Sequence, residues 1–119
     1  MNVQLKASVV IATIILAIQA CAPSESLQVK SSRDALPEDC EVMVYTPGQD
    51  KPENYDLLAT IKFGDTGLSV SCGEDTIREA MRAEACKIGA NGIIISWEAS
   101  PSLAVTCYRV VAELVHIEK

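Results

Sequence analysis

The stretch Thr76–Glu98, TIREAMRAEACKIGANGIIISWE, decides the fold of this chain, because a helical pattern and a strand pattern meet within it. Its first part has the 3.6-residue period of an amphipathic helix. Thr76 and Glu79 have the spacing of a capping box at a helix start, and Gly89 is typical of the position after a helix end. The pattern predicts a helix from Thr76 to about Ile88, followed by the buried strand IIISWE.

The two sides of this helix differ in character. On a helical wheel, Cys86 lies nearly opposite the apolar side and is expected to face solvent or a covering segment. Glu84 falls inside the apolar stripe, and we expect its carboxylate to lean to the edge and pair with a basic neighbour. The side expected to face a sheet consists of Ile77, Ala80, Met81, Ala85 and Ile88.

Strands are predicted on both sides of the helix. Glu41–Thr46 (EVMVYT) and Tyr55–Phe63 (YDLLATIKF) precede it, and Ile93–Glu98 and Ala104–Ile117 follow it. The order ββαββ predicts a single α+β domain over residues 39–119. Its sheet is expected to have four mostly antiparallel strands, with the helix packed on one face.

An apolar segment precedes this domain. Ala7–Ala20 is uninterrupted by charge and follows the basic Lys6. A helix needs about 20 apolar residues to span a bilayer, so the segment is short for an anchor. Its length and its basic flank are typical of the apolar region of a signal peptide.

The apolar segment ends in Ile18-Gln19-Ala20-Cys21, which resembles the lipobox of bacterial lipoproteins. Cleavage there would remove residues 1–20 as a signal peptide and make Cys21 a lipidated N-terminus, anchored in a lipid bilayer. An ordinary signal-peptidase cut after Ala22 is disfavoured because Pro23 would follow it, and an uncleaved signal anchor is the remaining alternative. Ala22 also takes the place of the aspartate that retains lipoproteins in the inner membrane, which favours the outer membrane.

A polar segment joins the lipobox to the predicted domain. Ala22–Pro37 has no hydrophobic period, so residues 21–38 are expected to form the lipidated cysteine and a tether. Fully extended, the 16 residues of Ala22–Pro37 would span about 55 Å at most.

The charge of the chain is acidic. The net charge is −6, and loss of Lys6 with the signal peptide makes it −7. An acidic surface argues against nucleic acid as a partner and against electrostatic binding to anionic lipid.

Four cysteines remain after Cys21, an even number, and in an oxidising compartment this predicts two disulfides. The alternative is a four-cysteine zinc site, whose usual signature is a pair of cysteines two residues apart. Here the cysteines are separated by 32, 14 and 21 positions, so that signature is missing. Three pairings are open from the sequence for Cys40, Cys72, Cys86 and Cys107.

Three short motifs carry a resemblance to a known family. Ser71-Cys72 follows the second predicted strand, ACKIGANGII at Ala85–Ile94 ends the helix, and Cys107-Tyr108-Arg109 opens the last strand. With the lipobox, and over residues 41–117, the chain resembles the Rcs stress-sensor outer-membrane lipoproteins (RcsF type) and their small YbjQ-like α+β relatives. The resemblance implies a disulfide between Cys72 and Cys107.

The second disulfide of that family has no counterpart here. The places of its cysteines are occupied by Trp97 or Glu98 and by Glu113. Cys40 and Cys86 stand outside the family pattern, and we expect them to pair with each other. The segment before the first predicted strand would then lie over the outer face of the helix.

No residue pattern indicates catalysis, a cofactor or a metal site. His116 is the only histidine and is expected at a strand edge, facing solvent. No serine lies in a nucleophile elbow, and no C-x-x-C pair suggests redox chemistry. Trp97 is expected to anchor a sheet face or the core. We therefore expect a protein that is not an enzyme.

Two classes of function fit these features. The resemblance implies an envelope interaction or stress-sensing module upstream of a signalling phosphorelay, whose partner is an outer-membrane β-barrel or a signalling protein. An exposed patch of Met43, Tyr45 and Tyr55 beside the tether would favour this class. The alternative is a structural, small-ligand-binding or metal-binding periplasmic lipoprotein without a signalling role.

Overall fold

The computed structural model describes residues 24–64, 72–103 and 105–118. Cys21 and the predicted signal peptide lie outside the described residues, so cleavage and lipidation remain predictions. Within the described ranges the chain forms one helix and five strands. In chain order these are β1 (Ser24–Val29), β2 (Met43–Tyr45), β3 (Tyr55–Gly64), α1 (Glu74–Lys87), β4 (Gly92–Ala99) and β5 (Arg109–Ile117).

The five strands form one mixed sheet in the order β1-β3-β5-β4-β2. β3 pairs antiparallel with β1 and β5, β4 pairs antiparallel with β5, and β2 pairs parallel with β4. The α+β class is therefore confirmed, with α1 on one face. The expected four-stranded sheet is wrong in its count, because a fifth strand adds to the β3 edge.

This fifth strand, β1, comes from the segment that was predicted to be a tether. Ser24–Val29 pairs along its whole length with β3, from Gly64 back to Ala59. Leu27 packs against the core. Glu25 approaches the helix, where its partial burial and the nearby Glu84 carboxylate raise its pKa. β1 is an edge strand of the sheet, and Leu27 is the residue that it contributes to the margin of the core.

The helix begins earlier than its predicted capping box. Gly73 occupies the N-cap position and provides no side-chain hydrogen bond. Glu79 is engaged with Arg82 through a hydrogen bond of 2.9 Å, so the predicted reciprocal cap is wrong. Glu74 and Asp75 lie in the first turn instead, where their charges favour the positive end of the helix dipole.

The helix ends as predicted. Lys87 is its last residue, and Gly89 follows with a φ of 80°. A Cβ added to Gly89 would lie 2.7 Å from the Cβ of Arg33 and 2.7 Å from the carbonyl oxygen of Asp34. Glycine is therefore required here both by its backbone conformation and by the close approach of residues 33–34.

Two predicted strands are shorter than expected. β2 includes only Met43–Tyr45, and β5 starts at Arg109 instead of residue 104. Ahead of β5, the amide of Val105 donates a hydrogen bond to the Ser102 hydroxyl at 3.1 Å. The amide of Tyr108 then donates to the carbonyl oxygen of Cys72 at 2.9 Å, which holds this segment against the start of α1.

The core lies between α1 and the sheet. Ile77, Met81 and Ala85 of α1 are fully buried. They pack against inward residues of β3, β4 and β5: Ala59, Ile61, Phe63, Ile93, Ile95, Val110, Ala112 and Leu114. Because successive side chains of a strand alternate between faces, the intervening residues form a second face, which α1 does not cover.

Candidate functional site

The first disulfide joins Cys40 to Cys86, with the two Cα atoms 6.0 Å apart. Cys86 lies on the side of α1 away from the sheet, as the helical wheel indicated. The bond fixes residues 33–40 over that side of the helix. Two hydrogen bonds reinforce the contact: the Leu36 amide donates to the Cys86 carbonyl oxygen at 2.8 Å, and Arg82 donates to the Glu38 carbonyl oxygen at 2.8 Å.

The second disulfide joins Cys72 to Cys107, with the two Cα atoms 4.9 Å apart. Both residues are buried in the core. The bond links Cys72, two residues before α1, to Cys107, two residues before β5. The prediction of two disulfides is confirmed, and the bonds join the pairs that were expected. A sulfur in a disulfide offers no thiolate to a metal, so these four residues do not form the alternative zinc site.

A partly buried polar cluster lies next to this disulfide. The Tyr108 side chain is fully buried, and its hydroxyl donates a hydrogen bond of 3.0 Å to Oε2 of Glu98. Nη2 of Arg78 lies 3.6 Å from the same oxygen atom. Burial and the hydrogen bond to Glu98 raise the pKa of Tyr108 to about 12. The hydrogen bond to Glu98 satisfies the buried hydroxyl of Tyr108. Sequence reasoning missed this cluster.

His116 does not lie at a strand edge. It belongs to β5, which is flanked by β3 and β4, and it is half-buried. Its register partner on β3 is Asp56. Among the described residues, no group of three or more histidine, cysteine, aspartate or glutamate side chains is placed to hold a metal ion.

Trp97 lies on the sheet face that α1 leaves uncovered. A register irregularity between Ile95 and Trp97 shifts the alternation of β4, so Ile95 points into the core and Trp97 pairs with Val111 on the other face. The indole is 49% exposed, and the guanidinium of Arg109 lies 5.7 Å from its centroid. Trp97 is thus a sheet-face residue that remains open to solvent.

Met43 and Tyr45 line a groove at one end of the sheet. Met43 is 61% exposed, and the groove of about 330 Å³ also includes Glu41, Asn91 and Ile117. Tyr55 is the register partner of Ile117, so the three residues singled out from the sequence belong to the same end. The expected place beside the tether is wrong for the part of that segment that leads to Cys21, whereas Arg33 lies near this end through its ion pair with Asp56.

The reason is the direction of β1. Ser24 pairs with Gly64, at the end of β3 remote from Tyr55. The exit of the chain toward Cys21 and the groove therefore lie at opposite ends of the sheet.

No protein-family model, curated protein or solved structure matches this chain. Within the part of the chain that the structure describes, no helix has the combination of length and hydropathy needed to cross a membrane.

Proposed function

We propose that this protein is a lipoprotein of the bacterial outer membrane, anchored through acylated Cys21, whose domain binds another envelope protein. One observation carries the anchoring. Of the five cysteines in the chain, four bond to one another in two disulfides. Cys21 therefore has no cysteine of its own chain left to pair with, and it stands at the end of a signal-like apolar segment.

The disulfides support an exported protein. They close loops of 46 and 35 residues, and on the chain-entropy model each stabilises the fold by about 4 kcal/mol. Small domains outside the reducing cytosol commonly depend on such bonds, because their cores are small. The domain has the properties expected after transport across the inner membrane.

Two exposed surfaces support binding to a protein. Trp97 and Arg109 lie on the sheet face that α1 leaves uncovered. Met43, the first residue of the edge strand β2, lines the groove. Tryptophan, methionine and arginine are enriched at protein interfaces, since they bury much area per residue. The partner class that the family resemblance implies is an outer-membrane β-barrel or a signalling protein.

Fractionation tests the anchoring. The natural chain and a Cys21→Ala variant are produced in a lipoprotein-processing bacterium, and membranes are separated from the soluble periplasm. We expect the natural protein in the outer-membrane fraction and the variant in the soluble fraction or retained as precursor. A natural protein that is soluble, or a variant that fractionates with the outer membrane at the mature size, contradicts the anchoring.

Crosslinking tests the interaction. A photoreactive residue replaces Trp97 or Met43 in cells, and the matched control replaces the exposed Lys87 on α1. We expect a protein adduct from one of the first two positions and none from the control. If an adduct forms and deletion of the gene changes an envelope-stress reporter, the signalling role follows. Equal results at all three positions favour the structural or ligand-binding lipoprotein.

A further inference from the structure

The structure leaves very little chain between Cys21 and the folded domain. β1 begins at Ser24, so three residue steps separate the proposed lipid attachment from the sheet. Whatever conformation they adopt, three steps reach about 11 Å at most. The long tether expected from the sequence is therefore replaced by a short link, and one end of the sheet must lie close to the lipid.

The strand register identifies that end. Ser24 pairs with Gly64, the last residue of β3. Phe63 pairs with Val110 near the start of β5, and Val110 pairs with Glu98 near the end of β4. Neighbouring strands lie about 4.8 Å apart, so the β4–β5 connection leaves the sheet within about 15 Å of Ser24 in the lateral direction.

The β4–β5 connection has the composition of a surface that meets lipid. Residues 100–108, SPSLAVTCY, contain no charged side chain. Leu103 lies within it and is fully exposed, at 106% of its reference area. It is the most exposed of the large hydrophobic residues that the structure describes. An isolated leucine on a surface is ordinary, but here it lies in an uncharged connection at the end that the proposed lipid restrains.

The charges around this end of the sheet indicate which type of lipid headgroup it can contact. α1 begins at this end, because Cys72, just ahead of the helix, is bonded to Cys107 in the connection. The first two residues of the helix, Glu74 and Asp75, are exposed. Lys62 is exposed near the end of β3. This mixture gives no basic surface for anionic lipid, so apolar contact with a zwitterionic headgroup layer is the interaction that fits.

We propose that the end of the sheet formed by Ser24, Gly64 and the β4–β5 connection rests on the bilayer, with Leu103 in the headgroup region. This orientation rests on the proposed lipidation of Cys21. The groove at Met43 and Tyr45 then points away from the membrane, toward partners in the periplasm. The domain has a fixed orientation instead of moving on a long tether.

Depth-dependent fluorescence quenching tests the orientation. The mature lipoprotein is purified from membranes and reconstituted in phosphatidylcholine vesicles with and without brominated acyl chains. Trp97 is the only tryptophan, so Trp97→Phe provides a background for single probes. The probes are Leu103→Trp, and Thr106→Trp, which keeps the native leucine. The matched control is Asp50→Trp, since Asp50 is exposed in the β2–β3 connection that precedes Tyr55.

We expect brominated lipid to remove most of the emission from positions 103 and 106 and to leave position 50 unchanged. Equal quenching at all three positions, or none at 103 and 106, overturns the orientation. Flotation of the same vesicles measures anchoring separately. Protein that floats without selective quenching retains the proposed anchor but not the orientation, whereas protein that does not float contradicts the anchor itself.

Discussion

The hydroxyl group of Tyr108 donates a hydrogen bond of 3.0 Å to Oε2 of Glu98, across the connection between β4 and β5. Tyr108 also follows Cys107 directly, and its amide is bonded to Cys72. One residue therefore joins the buried disulfide, the start of α1 and the sheet. The cluster stabilises the end of the domain that we propose faces the membrane.

Removal of this hydroxyl takes away the hydrogen bond that the half-buried carboxylate of Glu98 accepts from Tyr108. We expect Tyr108→Phe to lower the free energy of unfolding by about 1–2 kcal/mol, because the ring still fills the core but the hydrogen bond is lost. Urea denaturation of the oxidised domain measures this change. Trp97→Phe is the matched aromatic control, and we expect less than about 0.5 kcal/mol from it, since Trp97 is half exposed. Equal effects of the two changes would contradict the role of the cluster.

Tyr108 is also expected to make the free energy of unfolding depend on pH in the alkaline range. Its pKa is raised to about 12 in the folded protein, while an unfolded chain has a value of about 10. The contribution is fully present below pH 10, and it is lost as the pH rises from 10 toward 12, because the unfolded state releases the proton first. Unfolding free energies at a series of alkaline pH values measure the loss. Tyr108→Phe is expected to have a shallower decline, and identical slopes would contradict the assignment.

The two disulfides are expected to restrain different parts of the chain. Replacing either pair with serine should cost about 4 kcal/mol on the chain-entropy model. Loss of Cys40–Cys86 should also release residues 33–40 from α1, so hydrogen exchange should rise at the amides of Arg33 and Leu36 before global unfolding. The Cys72–Cys107 variant is the control and should retain protection at those amides under native conditions. Protection that is unchanged in the first variant would contradict the clamp.

Gly89 is expected to be intolerant of a side chain. It has a φ of 80°, and an added Cβ would lie 2.7 Å from atoms of residues 33 and 34. Gly89→Ala should therefore lower the free energy of unfolding by more than about 1 kcal/mol. Gly73→Ser is the matched control, since a serine at this N-cap has open space and can accept a helix amide, which makes it neutral or stabilising. Thermal unfolding of both variants measures the contrast.

The parts of the fold that the sequence predicted have strong local signals. α1 and β3 were found because their apolar residues repeat with a clear period, and β4 was found because IIISWE contains a short apolar run typical of a buried strand. β1 was missed because SESLQV has two apolar residues, and its pairing with β3 is a long-range contact that no local pattern records. The capping box was misassigned because Thr76 and Glu79 have the required spacing one turn inside the helix.

The candidate surfaces were foreseen less completely than the fold. The sequence allowed a candidate patch of Met43, Tyr45 and Tyr55 to be named. Its distance from the point where the chain leaves the sheet toward Cys21 depends on the direction of β1. Likewise, the exposure of Trp97 follows from a register irregularity in β4. A one-residue change of alternation moves a side chain to the other face, and the sequence carries no marker for it.

The most direct test of the central claim is the mass of the mature N-terminal peptide, measured on the natural protein extracted from bacterial membranes. We expect a peptide that begins at Cys21 and carries the added mass of covalently bound acyl chains. A peptide that retains residues before Cys21, or an unmodified Cys21, would contradict the lipid-anchored account.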